Sequence, residues 1–136
     1  MSGWTLNERR ADDGGVFAVR SRALPAADER ARWPVAIWLS RLFGDAGAED
    51  AVVADMIRWE DAAHAAAEAG GWGLLVAVVT TGLAREWLFH AANATEFLGE
   101  LRSLTEAGGW PPLDVRVYDD PSWKAARELN PRGSLH

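Results

Sequence analysis

Apolar residues follow two different spacings along the chain, and each spacing predicts its own set of elements. Alternating or unbroken apolar positions predict strands over residues 4–10, 16–21, 35–43, 74–81, 85–92 and 114–118. Apolar positions three and four residues apart predict helices over about 48–69, between Asn93 and Gly108, and in a short tail over 121–129. Residues 23–32 carry neither pattern and are predicted to form a polar connector.

One five-residue sequence, Glu-Ala-Gly-Gly-Trp, occurs twice, at residues 68–72 and 106–110. Each copy follows a helical pattern. A glycine pair at the end of a helix supplies a positive φ that other residues avoid, and the tryptophan after it provides a large apolar anchor. The repeat therefore predicts two helices that end in the same way, within a chain that is internally duplicated.

The order of the predicted elements indicates an α+β fold. From Pro34 onward the order is strand, helix, strand, strand, helix, strand, which is that of a ferredoxin-like domain. Right-handed crossovers then place both helices on one face of a four-stranded antiparallel sheet. We predict a single domain over residues 1–136, made of an N-terminal hairpin at 1–22 with its turn at 11–15, a duplicated core at 34–118 and a helical tail at 119–136. The hairpin and the tail either extend the sheet edge or cover its open face.

Composition limits where the protein works. The chain has no cysteine, which excludes disulfides and thiolate metal sites and suits a reducing compartment. Charged residues at positions 8–10 leave no room for the apolar core of a secretory signal. The longest apolar run, residues 74–79, is far shorter than the roughly 20 residues of a membrane helix. We expect a soluble cytoplasmic protein with no membrane contact.

The net charge of −6 comes from one segment. Between Gly44 and Gly70 seven acidic residues face a single basic one, Arg58. An acidic chain without a lysine or arginine cluster is a poor nucleic-acid binder, so we expect no nucleic-acid partner. A basic protein partner is favoured, bound by the helical stripe of Asp50, Asp61 and Glu68. The alternative is that this helix is only a solvated face.

Two segments resemble a known bacterial family. The sequence at residues 120–123, followed by 129–131 and preceded by Tyr118, resembles the C-terminal signature of domain of unknown function 695. Residues 78–82, followed by 85–86, look like the central hairpin of that family. The resemblance implies a ferredoxin-like α+β domain and no established activity. A more distant likeness in layout, to the acidic regulator B of ribonuclease E, implies that such domains act by occupying a partner protein.

Glu60 is the carboxylate to which the helical pattern draws attention. It falls in the middle of a face that also carries four apolar side chains and an alanine, Val52, Val53, Met56, Ile57 and Ala63. Burial there would make Glu60 a general acid or base, or pair it with an arginine such as Arg85 or Arg116. We expect the other outcome, a position at the helix rim that reaches water, because buried unpaired glutamates are rare.

His90 alternates with Trp87 and Phe89, so it is predicted on the sheet face opposite the helices. It is either a ligand contact beside Glu86 or Trp38, or a covered histidine held by hydrogen bonds. The three histidines of the chain lack metal-ligand spacing, so we expect neither a metal nor a cofactor.

Three aromatic residues stand apart from the predicted core. If Trp38, Tyr118 and Trp123 share the open sheet face, they form a platform of the kind that anchors a partner. We expect Trp123 to fold back from the tail and cover part of that face.

Three hypotheses follow. The first is a noncatalytic protein-interaction or regulatory module that binds a basic partner through the acidic stripe or the aromatic surface. The second is a small-ligand binder or enzyme that uses Glu60, His90 and Arg116, although no catalytic motif is present. The third is a purely structural role, or a homodimer formed through open sheet surfaces.

Overall fold

A computed structural model describes residues 4–10, 15–45, 47 and 49–129. Within them the chain is an α+β protein with a six-stranded antiparallel sheet and four helices. The elements in chain order are β1 (Trp4–Arg10), β2 (Val16–Arg22), α1 (Ala27–Arg30), β3 (Val35–Leu42), α2 (Asp50–Gly70), β4 (Leu74–Thr80), β5 (Ala84–Ala91), α3 (Ala94–Ala107), β6 (Asp114–Asp119) and α4 (Lys124–Leu129).

The predicted strands and the two long helices are confirmed to within two residues at each described boundary. The predicted turn at 11–15 falls mostly on residues 11–14, which lie outside the described residues. The connector at 23–32 is the exception, because it contains α1. A single helical turn is too short to show an apolar period, and this one buries none of its own side chains.

The strands lie in the order β1-β2-β4-β5-β3-β6, and every neighbouring pair is antiparallel. The N-terminal hairpin extends the sheet, since β2 pairs with β4 from Ala18↔Thr80 to Ser21↔Ala77. The tail helix α4 instead packs on a face of the sheet, against β2 and β4. The hairpin therefore extends the sheet edge and the tail covers part of a sheet face, which are the two positions predicted for these segments.

Strand alternation sorts the core into two layers. On the face covered by α2 and α3, buried side chains such as Ile37, Trp59 and Phe89 form the larger cluster. On the opposite face, Leu88 and Trp123 belong to a smaller cluster that α4 completes. Ile57, predicted to face the core, is 38% exposed, because it lies about 100° round the helix from Met56 at the centre of the buried arc.

The repeated pentapeptide ends α2 and α3 in the same way. Gly71 and Gly109 both take a left-handed backbone, with φ of 69° and 73°. The backbone N–H of the tryptophan after each glycine donates to the carbonyl five residues earlier. Trp72 donates to Ala67 and Trp110 donates to Thr105, both at 3.1 Å. These are the bonds of a Schellman motif, so the predicted helix ends are confirmed.

None of the helices within the described ranges combines the length and the apolar character that crossing a membrane requires.

Candidate functional site

Glu60 is a buried carboxylate under α2, with 2% of its side chain exposed. Its Oε1 atom accepts hydrogen bonds from Trp87 Nε1 at 2.8 Å and from Arg85 Nη2 and Nε at 2.9 and 3.1 Å. Its Oε2 atom accepts from Arg20 Nη2 at 2.5 Å. Two cations and an indole therefore hold this carboxylate, as a buried charge requires.

The expected rim position of Glu60 is therefore wrong. Arg20 on β2 and Arg85 on β5 flank β4, and both point their side chains toward the helix that crosses above it. Burial is tolerated because these strands bring compensating charge to the helix. Arg85 was one of the two predicted partners, whereas Arg116, the other, lies on the opposite face of the sheet.

His90 lies on the face opposite α2 and α3, as alternation predicts, and is fully buried there. Its ring stacks on that of Trp123, with centroids 4.0 Å apart and planes 16° from parallel. Its Nδ1 atom lies 2.7 Å from the Trp33 carbonyl oxygen, which can only accept, so Nδ1 carries the proton. The ring is held as a covered sheet histidine, one of the two predicted alternatives.

Burial lowers the pKa of His90 below its ordinary value of 6.5. The hydrogen bond with Trp33 and the carboxylate of Asp120 act in the opposite direction and only partly offset this. The Asp120 Oδ2 atom lies 3.9 Å from His90 Nε2 and also accepts from the Ala125 backbone, so this carboxylate mainly caps α4. The neutral ring is the form that this environment favours.

Trp123 is the residue that fixes α4 on the sheet. Its indole N–H donates to the carbonyls of Arg30 and Trp33 at 3.1 and 3.0 Å, and its side chain is fully buried. Its backbone takes a left-handed φ of 58°, which is strained for a bulky residue. Trp123 thus covers part of the open face, as predicted, and is not available as a surface for a partner.

The uncovered part of that face forms a cleft of about 380 Å³ beside α4. In register, Trp38 lies next to Arg116 and Ala36 next to Tyr118, so two of the three predicted aromatic side chains share the cleft. Its charged lining consists of Glu86, Asp114 and Arg116. In the part of the chain that the structure describes, none of these three side chains forms an ion pair.

Three of the five acidic side chains of α2 pair with arginines of the sheet. Glu68 pairs with Arg22 at 3.2 Å, and Asp55 pairs with Arg41 and Arg58 at 2.9 and 3.0 Å. The Arg41 hydrogen bond lowers the pKa of Asp55. Of the predicted stripe, Asp50 and Asp61 are exposed and have no ion-pair partner among the described residues. The stripe therefore offers two free carboxylates instead of three.

A model described as a family of unknown function (DUF695) matches residues 36–128, more than half of the chain. The chain belongs to this family. The DUF695 match includes Glu60, His90, Trp123 and all residues that line the cleft. The resemblance in the tail and the central hairpin is thereby confirmed, and membership brings no activity with it. Searches of the curated proteins and of the solved structures give no match.

The DUF695 match leaves out the N-terminal hairpin, and with it Arg20. Sequence reasoning missed Arg20 and the Trp33 carbonyl, because each acts through a contact between segments far apart in the chain. The sequence does contain one indication of the role of Arg20. It follows the apolar Val19 in a predicted strand, so the two side chains point to opposite faces of the sheet. Among the described residues, no three His, Asp or Glu side chains are grouped as a metal site would need.

Proposed function

We propose that this DUF695 protein is a noncatalytic protein-binding module of the cytoplasm, and that the cleft is its binding surface. The observation that carries the proposal is the set of unpaired charges, Glu86, Asp114 and Arg116, around Trp38 and Tyr118. Elsewhere on the sheet the arginines that face α2 are paired with its acids. Unpaired charges beside one exposed and one half-buried aromatic ring suit a surface whose partner is another molecule.

The chemistry of the cleft favours a basic segment of a partner protein. Tyr118 is 51% exposed and, with Trp38, provides flat apolar surface at a small cost in side-chain entropy. Glu86 and Asp114 outnumber Arg116, and the whole chain carries −6. A lysine or arginine of the partner would meet both a carboxylate and an aromatic ring.

The buried groups support a noncatalytic role. Both oxygens of Glu60 are occupied by donors within the protein, and His90 is enclosed between Trp33 and Trp123. A general acid or base must reach a proton of the substrate within hydrogen-bond distance. Neither side chain extends into the cleft. The absence of cysteine suits the reducing cytoplasm.

The acidic stripe is a weaker candidate for the same role. Asp50 and Asp61 lie eleven residues apart on α2, about 16 Å along the helix axis, and carry no apolar anchor between them beyond the partly exposed Ile57. Exposed charges that far apart steer a partner more than they hold it. We assign the stripe to attraction and the cleft to binding.

We also propose that β3 to β6, with α2 and α3, form a ferredoxin-like unit. Support comes from the element order strand, helix, strand, strand, helix, strand, and from the neighbour order β4-β5-β3-β6. The face of this unit that lies away from the helices carries the cleft.

A small ligand is the second candidate for the cleft. Its volume of about 380 Å³ falls within the range of ligand pockets, and Arg116 would hold an anionic group there. Saturable thermal stabilisation by a metabolite that is lost in Arg116→Gln would favour this candidate.

The test is a comparative capture from cell lysate with three forms of the protein. The cleft variant carries Glu86→Lys and Tyr118→Ser, and the stripe variant carries Asp50→Lys and Asp61→Lys. We expect a basic protein to bind the wild type and the stripe variant and to be lost from the cleft variant. Binding to the wild type should also weaken as salt rises from about 50 to 300 mM, since charge steers it.

Each variant is the control for the other, because each changes two side chains that lie outside the buried clusters. Their thermal unfolding should coincide with that of the wild type within the effect of surface changes, about 0.5 kcal/mol each. A partner that the cleft variant retains and the stripe variant loses would overturn the assignment to the cleft.

A further inference from the structure

β6 is the last strand of the sheet, and its outer edge carries no neighbour among the described residues. All six of its residues are exposed, although Val115 and Val117 are apolar and are 42% and 43% exposed. Open edges with apolar side chains pair readily with other strands, so proteins usually cover them or protect them with charge. The edge of β6 is therefore open to pairing by a strand whose charges complement its own.

The backbone of β6 shows which groups are free to pair. The Asp120 N–H donates to the Pro34 carbonyl at 2.7 Å, and the same register joins Tyr118 to Ala36 and Arg116 to Trp38. In an antiparallel ladder only alternate residues bond to a given neighbour. The even-numbered residues bond to β3, so the N–H and C=O groups of Val115 and Val117 point outward.

The two faces of the edge differ in chemistry. On the helix side, Val115 adjoins an apolar groove of about 590 Å³ between α3 and β6, lined also by Leu98, Leu101, Trp110 and Leu113. On the other side, Asp114, Arg116 and Tyr118 line the cleft. An added strand must therefore bring apolar side chains to one face and opposite charges to the other.

We propose that the occupant is a second copy of this chain, which pairs its own β6 antiparallel with this one about a two-fold axis through Val115. In that register Val115 faces the partner's Val115. Asp114 faces the partner's Arg116, and Arg116 faces the partner's Asp114. Leu113 of each chain faces the partner's Val117. These four side chains lie on the helix side of the sheet, together with the two Val115 side chains.

The chemistry of this strand selects that register from its alternatives. Side chains opposite each other in an antiparallel pair share a face, so only registers that match odd with odd positions keep the apolar side chains together. Centring the axis on Arg116 would set two guanidinium groups against each other. Centring it on Val117 would set Val115 against the partner's Asp119 and would form no ion pair.

The register also satisfies the backbone. Val115 opposite Val115 becomes a hydrogen-bonded pair, and so do the two flanking pairs of Leu113 with Val117. Asp114 and Arg116 then occupy the closer, non-hydrogen-bonded positions, with Cα atoms about 4.5 Å apart, where cross-strand charge pairs interact best. Pro111 and Pro112 end the pairing on the N-terminal side, because proline cannot donate.

This dimer goes beyond the proposed binding function and does not rest on it. A two-fold axis perpendicular to the sheet keeps both α3 helices on one face and both clefts on the other. Asp114 and Arg116 become paired across the axis, so in the dimer the proposed binding surface keeps Glu86, Trp38 and Tyr118, and a basic segment of a partner would meet the Glu86 carboxylate.

The first experiment is sedimentation velocity on the full chain and on three charge variants at about 50 µM. We expect the wild type to be a dimer. Asp114→Arg and Arg116→Asp each oppose like charges twice, so each should weaken the dimer by about tenfold or more. An equimolar mixture of these two variants should form a heterodimer, and the variant that carries both changes should dimerise alone. Circular dichroism checks that all forms are folded.

The second experiment tests the register by crosslinking. The chain has no cysteine, so an introduced thiol reacts without background. With a short bismaleimide, Val115→Cys should form a covalent dimer, because the two thiols face each other across the axis. Val117→Cys is the matched control and should not, since its thiols would lie four residues out of register. A wild type that sediments as a monomer would overturn the proposal, as would crosslinking through position 117 alone.

Discussion

The two faces of the sheet each enclose one titratable side chain, and they hold it in different ways. On the helix side, Glu60 is surrounded by Arg20, Arg85 and the Trp87 indole. On the other side, His90 has one carbonyl partner and a stacked ring. A buried carboxylate keeps its charge only beside cations, whereas an imidazole can simply remain neutral. The titratable group of the first face is therefore held by charge, and that of the second face by packing.

The comparison also explains why the cleft is the place to look for function. Both buried groups connect parts of the chain that would otherwise be separate. Glu60 joins the N-terminal hairpin to α2 through Arg20, and His90 joins the tail to the sheet through Trp123. Both groups are held by partners within the protein, which is why we propose the unpaired charges of the cleft for recognition.

The packed face should show the largest effect of a single change. Trp123→Ala removes the ring that covers His90 and leaves a cavity under α4, so we expect the free energy of unfolding to fall by about 3–5 kcal/mol. Urea unfolding followed by circular dichroism measures it. The control is Tyr118→Ala on the open surface, with an expected loss below about 1 kcal/mol. Equal losses in the two variants would contradict the difference in burial.

Glu60→Gln tests the charged face and should come next. The amide oxygen still accepts from Trp87, but Arg85 loses its counter-charge in a buried position. We expect a loss of about 3 kcal/mol, at the low end for a broken buried pair, because the Arg20 side chain is 42% exposed and can turn into water. Glu68→Gln breaks the exposed pair with Arg22 and should cost less than about 1 kcal/mol. If both cost the same, the buried network contributes no more than a surface pair.

The smallest expected effect is the pH dependence that His90 brings. Its pKa is lowered in the folded state, so the unfolded chain binds the proton more readily. The stability that neutral His90 contributes is fully present above pH 6.5 and is lost as the pH falls toward its lower folded pKa. The slope from one proton is at most about 1.4 kcal/mol per pH unit.

Unfolding at pH values between about 5 and 7.5 measures that slope. His90→Asn is the matched variant, because its amide N–H can still donate to the Trp33 carbonyl and does not titrate. We expect the wild-type slope over this range to exceed that of the variant. Identical slopes would mean that the pKa of His90 does not differ between the folded and unfolded states.

Local signals predicted most of the fold. The helix predicted after Asn93 begins there, with the Asn93 side chain accepting from the Glu96 N–H at 2.9 Å, and alternation correctly assigned His90 to its face. The pattern also placed Glu60 in the middle of the predicted apolar face of α2, and it is buried there. A general rule against buried glutamates then outweighed that observation, because the compensating Arg20 and Arg85 lie 40 and 25 residues away in the chain.

The site depends on contacts that no local pattern records. Trp38 and Tyr118 share the cleft because β6 pairs with β3 across 80 residues or so of chain, and strand pairing over such distances follows from the whole fold. The helical turn α1 was missed for a related reason. Its place is fixed by the Trp123 indole, which donates to the Arg30 carbonyl from a distant segment.

The repeated pentapeptide shows the same helix end twice within one chain. The same five residues occur in different surroundings, since Trp72 is buried beside Phe97 and Trp110 is partly exposed on the groove. The backbone nevertheless takes the same conformation in both copies. A β-carbon on Gly70 or Gly108 would strike the ring of the following tryptophan, so the ring folds back onto its own glycine in both copies. Because the same helix end forms in two different surroundings, it is specified by these five residues and not by their neighbours. We therefore expect these five residues to end a helix in the same way when they are placed after the helix of another protein.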